Sequence, residues 1–143
     1  MALTDCVFCH NITTNSFDVI GRGQRTLVVL DQQPINRGHV LVLPLRHAPD
    51  LPSLTEDEVI EIAVVAQRAD RAIRAVFDST TTGTNLLMSN GESADQGVPH
   101  AHLHVIPRNE GDGYEFQEDV TRYPLAPIKG PEREALRRSI GFV

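Results

Sequence analysis

Histidines at alternate positions are the densest concentration of reactive groups in this chain: three of its six, His100, His102 and His104, stand in the stretch GVPHAHLHVIPR, residues 97–108. An imidazole titrates near neutrality, so it serves as a nucleophile, a proton carrier or a metal ligand. Side chains two apart share a face on a β-strand and diverge by about 200° on a helix, so the spacing predicts a strand. Ala101, Leu103 and Val105 then line the opposite face, suited to a core, with the histidines turned to a cleft or to solvent. Length excludes one metal held by all three rings. At about 3.3 Å per residue the Cβ atoms of His100 and His104 would lie roughly 13 Å apart, whereas an imidazole reaches only about 5.5 Å from its Cβ to a zinc ion. The histidines therefore have at least two jobs.

The chain's two cysteines, Cys6 and Cys9, form a CVFC pair. Alone, such a pair is half a zinc site, a redox pair or two incidental thiols. A structural disulfide does not suit a reducing compartment. With 143 residues and 41% hydrophobic content the chain is sized for one domain with a proper core, and it has no linker, repeat or low-complexity tract. Its net charge of −6 argues against a broad grip on nucleic acid or an anionic membrane, though a small anionic ligand needs only local positive groups. No apolar run approaches the ~20 residues of a membrane span. MALTDCVFCH lacks the charged start and apolar stretch of a secretory signal, so a cytoplasmic location is expected.

The elements that must position these groups follow from pattern. TLVVLD (26–31) and GHVLVLP (38–44) read as a strand pair across the turn-like QQPINR. Thr55 and Glu58 form a capping box, and Val59, Ile62, Ala66, Ala69, Ile73 and Val76 recur at steps of three and four, which predicts one amphipathic helix ending near Phe77. STTTGT (79–84) is a loop, NLLMS (85–89) a strand, NGESADQG a polar turn, and the histidine strand follows. After Arg108 only a short helix over Pro131 to Ile140 is expected. These elements imply an α+β domain, a sheet of about five antiparallel strands with one long helix and a short C-terminal one. Its core spans 6–108 and its C-terminal extension 109–143.

His100, His102 and His104 with the apolar residues between and after them fit the pattern His-φ-His-φ-His-φ-φ, φ being apolar, at every position. Together with NLLMSNGESADQG, LDQQPINRGHVLVLPLRH and CVFC, the stretch resembles the histidine triad (HIT) family over roughly residues 6–108. The resemblance implies a nucleotide hydrolase or transferase acting at the α-phosphate of a nucleoside 5′-phosphate derivative, with His102 as nucleophile. A neutral imidazole is competent for that role when its other nitrogen is fixed by a hydrogen bond. The resemblance also implies that His104 and His39 flank the phosphate and hold the nucleophile's geometry. Asn90, Gln96 and the backbone around Gly97 would contact phosphate or leaving group, and Asp31 would take the ribose hydroxyls. The implied ligand is a purine nucleotide, adenosine-containing, and the implied assembly a homodimer through the long helix and a sheet edge.

In zinc-bearing relatives the metal ligands match Cys6, Cys9, His47 and His100, which implies a closed structural zinc and divides the labour among the histidines. Two departures stand out. Gly97 replaces a Ser or Thr common in the family, and the absence of tryptophan removes the C-terminal Trp segment of the phosphoramidase-like branch. Two other readings remain at this point: a nucleotide-binding regulator with slow or vestigial turnover, and a purely structural zinc module.

Overall fold

Both bonds of the Thr55–Glu58 capping box form. In the computed structural model, which describes residues 6–77, 81–117, 120–122 and 125–141, Thr55 N donates to Glu58 Oε2 at 2.8 Å and Glu58 N to Thr55 Oγ1 at 3.3 Å. They start helix α2 (Glu56–Val76), whose first turn carries Glu56, Asp57 and Glu58 against the positive end of the helix dipole. Ile62, Ala66 and Ile73 of the apolar stripe are buried, whereas Val59 and Val76 at its ends stay 37% and 70% exposed. The first two residues of the loop expected at 79–84 lie outside the described residues.

The chain is α+β, as its pattern implies. Strands β1 (Val19–Arg22), β2 (Thr26–Leu30), β3 (Val40–Pro44), β4 (Gly83–Leu87) and β5 (Leu103–Arg108) form an antiparallel sheet in the order β1-β2-β3-β5-β4. Two elements have no counterpart in the sequence reading. One is β1, a four-residue edge strand whose register shifts between Val19 and Gly21. The other is helix α1 (Val7–Thr14), eight residues rich in β-branched side chains that disfavour helix; Asn15 closes it in the left-handed conformation that Asn tolerates.

The pleat sorts the sheet's two faces. Val28, Val40, Val42 and Val105 pack against α2. Leu27, Val29, Leu41 and Leu43 point the other way and meet Phe8, Ile12 and Phe17 from α1 and the residues after it. His39 and His104 share the parity of this second face. The histidine face is thus neither open cleft nor solvent throughout. Residue by residue, His100 is fully buried and His102 is 7% exposed.

The histidine strand also starts later than its alternation implies. β5 begins at Leu103, and residues 97–100 bend. Beyond the Val42–Leu103 pair the β5 side of β3 meets a side chain where a ladder would continue: the His100 ring donates to Pro44 O at 2.9 Å. Ala101 N donates to Ala48 O at 2.6 Å, outside the sheet. In the turn before β3, Gly38 has φ +86°, and a Cβ there would come within 2.5 Å of the Phe77 ring, so glycine is required twice over.

Residues from Tyr114 onward form a second compact unit. Its helix α3 (Pro131–Ile140) has the bounds the sequence indicates, with proline in the first turn and Gly141 as a left-handed cap. No helix among the described residues is long and apolar enough to cross a membrane.

One ion pair ties the loop after β3 to α2. Arg46 Nε and Nη2 donate to Glu58 Oε1 and Oε2 at 2.9 and 2.7 Å. These bonds hold the buried Glu58 carboxyl down to about 2. Arg46→Met should destabilise the fold by about 1–3 kcal/mol at pH 7, read by chemical denaturation, because it leaves a buried carboxylate short of its charged donors. A depressed carboxyl contributes stability that is complete above its ordinary 4.5 and lost as pH falls toward 2, so the gap between parent and variant should close over that window.

Candidate active site and metal centre

Register brings three polar residues into one row. Asp31 N donates to His39 O at 3.1 Å, extending the β2–β3 ladder by one step, and Leu41 faces His104 across β3–β5. The His39 and His104 rings consequently meet, Nε2 to Nδ1, at 2.9 Å. Asp31 Oδ2 lies 3.4 Å from the first nitrogen and 3.6 Å from the second. The tautomers follow from the ends of the row. Ile35 N–H points at His39 Nδ1 at 3.1 Å, so that nitrogen accepts and the proton sits on Nε2. His39 then donates to His104 Nδ1, which leaves the His104 proton on Nε2. Burial lowers the pKa of both rings, and His102 and His39 help push His104 down to about 4, against the Asp31 carboxylate, which raises both.

His102 is oriented from behind. Its Nδ1–H donates to the His100 carbonyl at 2.7 Å, a group that can only accept, so Nε2 keeps a free lone pair. The Phe8 ring stands edge-on to it, centroids 5.2 Å apart. His102, His104 and Asp31 line a cleft of about 430 Å³ whose other walls include Phe8, Asn11 and Phe17, a size within the roughly 300–1,000 Å³ of small-molecule sites.

The metal-type donors gather on the far side of His100. Its Nε2–H is occupied by Pro44 O, which fixes the lone pair on Nδ1, 3.6 Å from Cys6 Sγ and 3.5 Å from Cys9 Sγ. His47 Nδ1 stands 3.4 Å from Cys9 Sγ. A tetrahedral zinc with N and S ligands at about 2.1 and 2.3 Å sets its donors about 3.6 Å apart, so the spacing fits. The chemistry fits as well: burial and the neighbouring Cys6 raise the Cys9 thiol to about 11, so its thiolate needs a cation.

Asp31, His39 and His104 also hold their ligand atoms within 4.8 Å of one another. Their hydrogen bonding fixes the two rings in one row and argues against a metal. A neutral histidine binding metal through Nε2 must carry its proton on Nδ1, where the Ile35 N–H already points.

The turn residues have a different placement. Asn90 Oδ1 accepts from Leu51 N at 2.7 Å, and Gln96 accepts from Gly91 N at 2.7 Å while donating to Pro49 O and Val98 O. Both amides brace the turn that precedes the histidines, and neither lines the cleft. Gly97 has open space where a Cβ would sit, so packing does not force the missing hydroxyl.

With this geometry in place, the likeness to known proteins is direct. The HIT domain family model matches residues 13–111. This chain belongs to the histidine triad family. It is 34% identical to a HIT-like protein of Mycobacterium tuberculosis over 93% of this chain and 88% of that one. Against the adenylylsulfatase HINT3 of Arabidopsis thaliana it is 32% identical, over 85% of this chain and 61% of the relative. Its fold is similar to the crystal structure of a zinc-bound histidine triad protein from Mycobacterium smegmatis, with TM-score 0.72, 35% identity, and coverage of 83% and 86%.

The α1 wall of the cleft, most of it before the matched residues 13–111, leaves little trace in the sequence. The only available signal was the apolar Val7 and Phe8 around the cysteines, in a stretch too short and β-branched to announce a helix. Pro44 O and Ile35 N–H, backbone groups that set histidine tautomers, carry no sequence signature.

Because its folded pKa is depressed below the ordinary 6.5, the neutral His104 ring stabilises the fold fully above pH 6.5, and that contribution is lost as pH falls toward 4. NMR titration of the ring should give a His104 midpoint near 4. Asp31→Asn should move it lower still, since the carboxylate is what holds it up.

Proposed function

We propose that this HIT protein is a nucleotide hydrolase or nucleotidyltransferase acting at the α-phosphate of nucleoside 5′-phosphate derivatives through a nucleotidyl intermediate on His102. The observation that carries the reading is the Nδ1–H bond to the His100 carbonyl, which presents the His102 Nε2 lone pair to the cleft beside a second imidazole. Nε2 attacks the α-phosphorus, and an N–P bond forms as the bond to the leaving group breaks. A phosphate, nucleotide or sulfate leaving group departs with the bonding pair as an anion and needs no proton. Water then attacks phosphorus, the N–P electron pair returns to Nε2, and the proton of the water passes to solvent. His104 Nε2–H, held outward by His39, donates to the phosphate oxygens.

Asp31 has Oδ1 engaged by Gln33 N at 2.7 Å and Oδ2 beside the histidine pair, which suits a ribose hydroxyl at the same end of the cleft. Asn90 and Gln96 act by holding the turn around Gly97, whose backbone N–H groups face the phosphate or leaving group. The name of the Arabidopsis relative, an adenylylsulfatase, supports an adenylyl group as the transferred unit. An adenosine-containing nucleotide is therefore the proposed substrate class. Cys6, Cys9, His47 and His100 would hold zinc, which with four protein donors supplies structure and leaves no open position for chemistry. The proposed working form is a cytoplasmic homodimer. The exposed Leu86 on edge strand β4 and Ile60 and Val64 on α2 give it apolar surface to cover.

His102→Ala should lower turnover of an adenylyl substrate by about 10³-fold or more while adenosine monophosphate binding largely survives. Turnover within tenfold of the parent would remove the nucleophile assignment.

Protein purified without chelators should carry about one zinc per chain by elemental analysis. Cys6→Ser should lower metal content and melting temperature together, because binding free energy at such a site is folding free energy. A metal-free preparation that melts as high as the loaded one would remove the structural role assigned to zinc at these four donors.

A further inference from the structure

Among the described residues that line the cleft, Asn11 carries a half-buried amide that the protein itself leaves unused. Asn11 lines the cleft from α1, one helical turn beyond Val7, which faces the same way. Phe8, Phe17, Leu30 and Leu41 complete an apolar enclosure on that side. The Asn11 side chain is half-buried and its carboxamide has no hydrogen-bond partner among the described residues; its backbone carbonyl accepts from the N–H groups of Asn15 and Ser16. The other amides around the site differ. Those of Asn36, Asn90 and Gln96 are bonded to the protein, and Gln32 and Gln33 are exposed in the turn beside Asp31. A half-buried carboxamide in apolar surroundings with neither donor nor acceptor satisfied is poised for a ligand.

We infer that Asn11 is the base-reading residue of the cleft, selecting a 6-aminopurine over a 6-oxopurine. The inference rests on the nucleotide reading above and assigns its adenosine preference to a residue. With the phosphate at His102 and His104 and the ribose at Asp31, the base extends toward the α1 wall, where Phe8 and Phe17 offer aromatic faces and edges. A carboxamide presents one donor and one acceptor side by side. Adenine offers the complement, the N6 amino group as donor and N7 as acceptor. Hypoxanthine and guanine offer two acceptors, O6 and N7, on that edge, so one arm of the amide stays unpaired in a buried place.

The test is calorimetric titration of the zinc-loaded, full-length protein with AMP, IMP and ribose 5-phosphate, none of which is turned over. AMP and IMP differ at C6 and in the proton that IMP carries on N1, and share N7 and the whole ribose phosphate. The parent should bind AMP about tenfold or more tighter than IMP, the lower end of what a bidentate amide pair discriminates. Asn11→Leu, of similar size, should bring the two within about twofold, with ribose 5-phosphate affinity unchanged as the control for a folded phosphate and ribose site. Asn11→Asp, which has acceptors only, should weaken AMP without restoring the preference. An AMP preference that survives in Asn11→Leu, or a parent that does not distinguish AMP from IMP, overturns the assignment of Asn11 and leaves the nucleotide reading standing. A parent that binds none of the three ligands overturns that reading and this inference together.

Discussion

Everything about the site depends on how His100 is held. Its ring is fixed by a single bond to Pro44 O, which puts the lone pair on Nδ1 and turns it toward Cys6 and Cys9. Its backbone carbonyl, on the other side of the same residue, takes the Nδ1–H of His102. A cluster suited to metal and the imidazole whose Nε2 lone pair faces the cleft thus share one fully buried residue. The neighbouring Ala101 to Ala48 bond closes the frame, because Ala48 follows His47, the fourth donor of the cluster. Moving either donor pair would shift a carbonyl whose position sets which nitrogen of His102 is free, and at such sites displacements of an ångström matter.

The second constraint is the pleat. Asp31 follows β2 and His39 precedes β3 across one turn, and His104 comes from β5 far along the chain, yet antiparallel register places them in one row on the face opposite α2. Apolar residues of the same parity, Leu41 and Leu43, support the row from within the core. A one-residue slip of any of these strands would put its histidine or aspartate under α2, so the core packing that fixes the register also fixes the chemistry.

This explains what could be read in the sequence. The strands carrying Val40 to Pro44 and Leu27 to Leu30, the capped helix from Glu56 and the separation of the His100 ring from the His104 ring all leave periodic or distance signatures. The alternation of His100 and His102 with apolar residues implies a longer strand than exists, because Pro44 O is taken by an imidazole and the ladder stops at Leu103. Helix α1 is the larger omission. Its residues have weak helical preference, and packing of Phe8 and Ile12 on the sheet overrides it, a tertiary effect that local pattern does not contain. Roles resting on backbone groups, Ile35 N–H and the His100 carbonyl above all, are invisible to any reading of side-chain types.

The same backbone groups give the buried histidines a direction. Starting at Ile35 N–H, each nitrogen in the row has one permitted role: His39 accepts at Nδ1 and donates at Nε2, His104 accepts at Nδ1 and has a donor left at Nε2. From the other side, the His100 carbonyl makes His102 a donor at Nδ1 and leaves a lone pair at Nε2. Two neighbouring rings, centroids 4.9 Å apart, therefore present opposite faces of imidazole chemistry to one cleft, an N–H donor and a lone pair. Burial, which keeps His104 neutral well below ordinary pH, is what makes this arrangement stable, since a protonated ring there would lose the acceptor that His39 requires.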